Sequence, residues 1–224
     1  MLKRMIVPLV FGIVGTAILV ALGIWQVQRL EWKEGVLADI EARIAADPVP
    51  VPADPDPEAD RYLPVRAEGD LTGERLQVLA SVKRVGPVHR VVEVFETDGR
   101  RLLLDRGYIP ADEKDAALSS GRVTVSGNLH WPDETDSFTP APDRDENLWF
   151  AREVPLMAEA LATEPLLIVA REVSPSDPLV TQLPVDTSGI PNDHLEYAIT
   201  WFSLAAIWAG MTGWLLWRIR RRTV

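Results

Sequence analysis

Two stretches without a single charged residue constrain this chain more than anything else in it. Met5 to Gln28 gives 24 uncharged positions, and Tyr197 to Trp217 gives 21. As α-helices these runs would be about 36 Å and about 32 Å long, enough to cross a hydrocarbon layer of about 30 Å. Both are predicted to be transmembrane helices, with a buried core helix as the alternative. The first run also has marks of a cleaved signal peptide: Lys3 and Arg4 precede it, and Ala21-Leu22-Gly23 is a passable cleavage site. Its apolar stretch exceeds the ~7–15 residues of a signal core and runs on into a helical pattern after Trp25, which favours a retained anchor. Lys3 and Arg4 at one end, and Arg218, Arg220, Arg221 and Arg222 at the other, place both termini in the cytoplasm by the positive-inside rule. Trp25, Trp32 and Trp201 mark one membrane interface; Trp214 and Trp217 mark the other.

Residues 30–193 then lie outside, with 16 Lys+Arg against 32 Asp+Glu, a net of −16. That balance argues against nucleic acid as a partner. It reads first as a solvated surface and second as an attraction for basic proteins. There is no cysteine, which rules out disulfides, thiolate metal sites and thiol nucleophiles.

Leu30, Trp32, Val36, Leu37, Ile40 and Ile44 predict an amphipathic continuation of the first helix to about Ala46. Alternating prolines from Pro48 to Pro57 then predict an extended linker. Strands are expected at 62–70, 75–81, 88–96, 101–108, 123–131 and 166–173, with a short helix at 155–161. Asp98-Gly99 is a hairpin signal, Leu71-Thr72-Gly73-Glu74 reads as a turn, and 132–147 and 173–191 read as irregular. The fold class is therefore α+β: two terminal transmembrane helices flanking one mostly antiparallel, β-rich extracytoplasmic domain, either open or curled towards a barrel. The predicted divisions are transmembrane helix 1 (5–28), amphipathic extension (29–46), Pro/Asp linker (47–61), outer α+β domain (62–193), transmembrane helix 2 (194–217) and basic tail (218–224). Gly12 with Thr16, and Ala205 with Ala209 and Gly213, are small residues four apart that would let the two spans approach closely.

No GxSxG, GxGxxG, P-loop or HExxH pattern occurs, and His89, His130 and His194 are far apart in sequence. A non-enzymatic role is expected. The junction at the second span stands out. On a helix, His194, Tyr197, Trp201, Ala205 and Trp208 share one face, which sets an imidazole at the membrane surface above aromatic rings. Such a face suits a haem, whose iron takes imidazole as an axial ligand; an interfacial His with an aromatic belt and no ligand is the alternative. Facing it, Trp25, Gln26 and Arg29 end the first span. Arg29 is placed either to pair with a carboxylate such as a haem propionate or simply to snorkel.

Four segments then carry a family resemblance: Leu22-Gly23-Ile24-Trp25-Gln26-Val27-Gln28-Arg29-Leu30-Glu31-Trp32-Lys33; Leu104-Asp105-Arg106-Gly107-Tyr108-Ile109-Pro110; Asn147-Leu148-Trp149-Phe150-Ala151-Arg152; and Asn192-Asp193-His194-Leu195-Glu196-Tyr197-Ala198-Ile199-Thr200-Trp201-Phe202-Ser203-Leu204-Ala205. In these, and in having two terminal spans around one outer domain, the chain resembles the Surfeit locus protein 1 family of cytochrome c oxidase assembly factors. It departs in Asp193, where the family often has a second Asn, and in the Pro/Asp linker. The resemblance implies a membrane-anchored factor that binds haem a transiently and assists its insertion into the large catalytic subunit of a haem-copper oxidase. A cofactor-free scaffold for an immature subunit is the alternative. Carried over by position, the family's histidine at the second-span junction is His194, expected as an axial ligand of the haem iron, and its Trp-Gln-x-x-Arg element is Trp25, Gln26 and Arg29; Tyr197 and Trp201 join this expected haem site from the His194 helix face. The implied partners are the oxidase large subunit, haem A synthase, other assembly factors and membrane lipid. The implied setting is a bacterial-type inner membrane with a periplasmic central domain. For Arg106 a structural pairing is expected.

Overall fold

The computed structural model describes residues 2–221. Arg222 of the basic tail lies outside the described residues, as do the side chains of Lys3 and Arg4. The chain divides into two units, one made of the terminal segments up to Asp39 and from Thr187, the other of Ile40–Asp186.

The terminal unit is a pair of helices. α1 runs unbroken over Leu2–Ile44, through both the apolar run and the amphipathic extension, and its last turn belongs to the second unit. Pro8 lies inside it, in the second turn, where the ring removes one backbone hydrogen bond of the helix. The other long helix spans His194–Arg221 and is numbered α3 in chain order. Both are long and apolar enough to cross a membrane. They run antiparallel: Gly12 lies against Thr212, Gly15 against Trp208 and Gly23 against Phe202. A Cβ at Gly23 would come within 2.7 Å of the Phe202 ring, and at Gly12 and Gly15 it would also run into the opposing side chains. In lipid no hydrophobic effect drives helices together, so close approach over small residues carries the pairing.

Of the small residues singled out in the sequence, Gly12 and Ala205 lie in this seam. Thr16 turns its hydroxyl back onto the Gly12 carbonyl at 2.8 Å, Ala209 is exposed, and a Cβ at Gly213 would meet nothing within 4 Å. A four-residue step drifts around a helix of 3.6 residues per turn, whereas a seven-residue step nearly returns to the same face. The seam accordingly follows Ala198, Ala205 and Thr212.

The second unit carries six strands: β1 (Pro64–Val82), β2 (Gly86–Thr97), β3 (Arg100–Pro110), β4 (Gly121–His130), β5 (Leu148–Trp149) and β6 (Leu167–Ser174), with α2 (Val154–Leu161) before the last. Their order is β2-β3-β6-β4-β1-β5, and β1 also pairs with β2, so five of the six are linked in a ring. The hairpin between β2 and β3 turns on Asp98 and Gly99, both with positive φ, as this two-residue turn requires.

The expected turn at 71–74 is instead a bulge inside one 19-residue strand. Gly73 takes φ +86° there and donates its N–H to Glu93 Oε1 at 2.9 Å. The extra residues bend β1; it pairs with β4 through Pro64–Leu71 and with β2 on both sides of the bulge, at Asp70 and Leu71 and then through Arg75–Val82. The proline-rich segment is extended and pinned to the domain: Val49 bridges Val65, and Arg100 donates to the Pro52 carbonyl at 2.7 Å.

Alternation along the strands feeds two cores. Val65, Phe95, Leu102, Leu104, Leu129 and Ile168 form one cluster. Val92, Val94, Leu103, Leu167 and Val169 form the other, covered by Trp149 and by Met157 and Leu161 of α2.

The same alternation separates two adjacent charges on β3. Asp105, fully buried, accepts from Arg90 at 2.7 Å and Arg152 at 2.9 Å, while its other oxygen accepts the Gly107 N–H at 3.0 Å. Arg106, 2% exposed, pairs with Glu93 at 2.5 Å and lies 3.6 Å from Asp177. It also donates to the Ser119 carbonyl at 3.0 Å. The structural pairing expected of Arg106 is what the fold provides.

Beside the Asp105 network, the His130 ring stacks on Tyr62 at 5.5 Å. Burial, reinforced by Arg152 and Arg61, pushes its pKa down to about 4. Glu134, although burial alone would raise it, is held below the usual carboxylate range by the hydrogen bonds and charge of Arg152. Both shifts act in one direction. An unfolded chain binds more protons at these sites than the folded one, so stability is present above the ordinary histidine range and falls as pH drops towards about 4. His130→Phe should therefore flatten the pH dependence of thermal unfolding between about 6.5 and about 4. An unchanged slope would remove His130 from the account.

Candidate functional site

α3 begins at His194 itself, so the imidazole projects from the first residue of the helix. The antiparallel seam brings it opposite Gln26 of α1, 168 positions away in sequence, with Nδ1 2.7 Å from Oε1. Gln26 is only 8% exposed and His194 is half-buried. Because Nδ1 is engaged, Nε2 is the ring nitrogen left for another partner. Two residues earlier, Asn192 Oδ1 is enclosed without a hydrogen-bond partner, an acceptor available to a donor from outside the chain.

The remaining predicted residues surround this pair unequally. Ala198, one turn after His194, is buried in the seam, which leaves Trp201 half-exposed at its edge. Tyr197 is 55% and Trp25 51% exposed, so both present their rings outward. Arg29 is also exposed, and its guanidinium lies 4.3 Å from the centre of the Trp32 ring, a cation–π contact on its own helix. The structure thus brings His194 and Gln26 together, leaves Trp201 half-exposed two turns further along α3, and keeps Trp25, Tyr197 and Arg29 on the outer surfaces of the two helices.

This donor set suits a haem. One imidazole nitrogen, Nε2, is left for an iron, and the exposed rings of Trp25 and Tyr197 with the Arg29 guanidinium lie on the outer surfaces, near Gln26 or His194 in sequence. It does not suit a bare metal ion: no group of three or more His, Asp or Glu converges among the described residues. Sequence reasoning missed the Gln26–His194 bond and the Asn192 orphan. The only available signal was that both ends fall within segments carrying the family resemblance.

The fold and this junction define a class: two apolar terminal helices around a six-stranded α+β unit, with a single histidine at the head of the second helix. The SURF1 family profile matches residues 13–206. The Surfeit locus protein 1 of Homo sapiens is 30% identical over 83% of this chain and 69% of its own length, and that of Rattus norvegicus is 29% identical over 83% and 68%. A SURF1-like protein of Monosiga brevicollis is 28% identical over 85% of this chain and 80% of its own. The chain belongs to the SURF1 family.

Proposed function

We propose that the chain assists assembly of a haem-copper (cytochrome c) oxidase by holding haem a and passing it to the large catalytic subunit. Family membership favours the oxidase. The observation that carries the haem reading is the His194 imidazole at the head of α3, with Nδ1 engaged by α1 and Nε2 left over. In this reading His194 supplies an axial ligand to the haem iron. Trp201, Tyr197 and Trp25 flank the macrocycle, and Arg29 pairs with a propionate while staying near water. Haem a is cargo. One histidine holds it moderately, so an acceptor offering better ligation draws it away. The chain makes and breaks no bond of the haem skeleton. Its termini are cytoplasmic in a bacterial-type inner membrane, and the acidic second unit lies in the periplasm. There it docks the oxidase large subunit, haem A synthase or fellow assembly factors through charge.

The test is to co-express the full chain with the haem A synthesis pathway, purify it in detergent and record a reduced-minus-oxidised spectrum. The wild type is expected to carry a haem a signal that His194→Ala lowers by about tenfold or more, at equal protein yield and unchanged thermal unfolding. Equal haem in His194→Ala would sink the ligand assignment. Colourless wild type from membranes that contain haem a would sink the haem reading and leave the cofactor-free scaffold.

A further inference from the structure

We infer that Gln26 is not a haem contact but the positioning residue that sets the tautomer of His194, holding the proton of the neutral ring on Nδ1 so that the Nε2 lone pair faces outward before any ligand arrives. A neutral imidazole carries one proton, on Nδ1 or on Nε2, and the hydrogen bond made by one nitrogen decides the state of the other. In water the proton favours Nε2, which would hide the lone pair a metal needs. Here Nδ1 lies 2.7 Å from the Gln26 side-chain oxygen. An amide oxygen only accepts, so His194 donates from Nδ1 and the Nε2 lone pair points out of the opposite side of the ring. In this arrangement neither residue leaves a buried polar atom unpartnered among the described residues.

Burial strengthens the effect. Gln26, 8% exposed, sits in the helix seam, where water competes poorly for its oxygen and an unmade hydrogen bond is costly. Three residues earlier, Gly23 lets the Phe202 side of α3 approach closely, and that approach keeps the amide in reach of the ring. The amide also does for a metal ligand what an outer hydrogen-bond acceptor commonly does: it fixes the orientation and tautomer of the imidazole.

The tautomer claim needs no haem. Its consequence for ligation rests on the reading above, and the experiment separates the two. The full chain, labelled with 15N-histidine, is purified in detergent at a pH well above the histidine range. Its nitrogen shifts are then recorded for wild type, Gln26→Leu and Gln26→Glu. Three histidines give three sets of signals; His194→Ala identifies one, and His89 and His130 report that the second unit is folded. Wild-type His194 is expected to be protonated on Nδ1. Gln26→Leu should shift it to a mixture dominated by Nε2–H, and Gln26→Glu, which keeps an acceptor, should restore the wild-type pattern. An Nε2–H wild type, or a Gln26→Leu variant with the wild-type pattern, overturns the inference.

Haem loading adds a readout that a merely structural role would not move. Gln26→Leu should lower occupancy by about tenfold. The reduction potential of bound haem should fall in Gln26→Glu and rise in Gln26→Leu, following ligand basicity. Equal potentials across the three would overturn the positioning role. A wild type with the expected tautomer that never takes up haem would instead overturn the haem reading and leave the tautomer assignment standing.

Discussion

Asp105→Ala is expected to destabilise the Ile40–Asp186 unit by about 3–5 kcal/mol, the usual cost of removing one partner from a buried ion network. One Asp105 oxygen receives both Arg90 and Arg152, and the other receives the Gly107 N–H. Without the carboxylate, Arg152 keeps Glu134, but Arg90 keeps only a 3.3 Å contact with the Leu183 carbonyl. Two guanidinium groups would then face each other across an emptied site where water enters poorly. In full-length protein the thermal transition of this unit should fall by on the order of 10 °C. Asp105→Asn should fall less, because it can still accept from Gly107. If both variants melted with the wild type, the network would be ornamental to stability.

Trp149→Ala should cost a similar amount, about 3–5 kcal/mol, by emptying a large buried volume. The ring is 2% exposed and packs among Leu76, Val94, Met157 and Leu167. Beyond stability, its loss would loosen the two-residue β5, which pairs with β1 and otherwise bridges Asp143, and the α2 cover behind it. A thermal shift under about 2 °C would show that the site collapses without a cavity.

These two residues show how far the sequence could be read. Both lie in segments that carry the family resemblance, yet neither role was visible there. Period-two alternation along Leu103, Leu104, Asp105 and Arg106 says only that successive side chains take opposite faces. That the two faces hold separate charge networks depends on Arg90, Arg152, Glu93 and Asp177, which only the strand order brings together. Local chemistry was easier. Asp98-Gly99 announced its hairpin, and the charge-free runs announced both long helices. The turn read at Leu71–Glu74 failed because a glycine between two β-type runs signals a reversal and a bulge equally well, and the choice was made by Glu93 on the neighbouring strand. At the helix junction the chain revealed His194 and Gln26 separately. Their bond required knowing that α1 and α3 run antiparallel in a register fixed by Gly12, Gly15 and Gly23.

That register leads to the last expectation. The chain has no cysteine, so Gln26→Cys with His194→Cys creates the only two thiols, at positions whose native side chains meet at 2.7 Å. A short bifunctional thiol reagent should link them efficiently in membranes. Adding Gly12→Leu and Gly15→Leu should lower that yield by about tenfold, equivalent to roughly 1.4 kcal/mol of pairing free energy. The leucines lie about 20 Å along α1 from the thiols at 1.5 Å per residue, so any loss reports the helix pair as a whole and not local chemistry at the junction. Unchanged cross-linking would mean that the glycine seam does not hold the helices together. His194 and Gln26 would then owe their meeting to the junction alone.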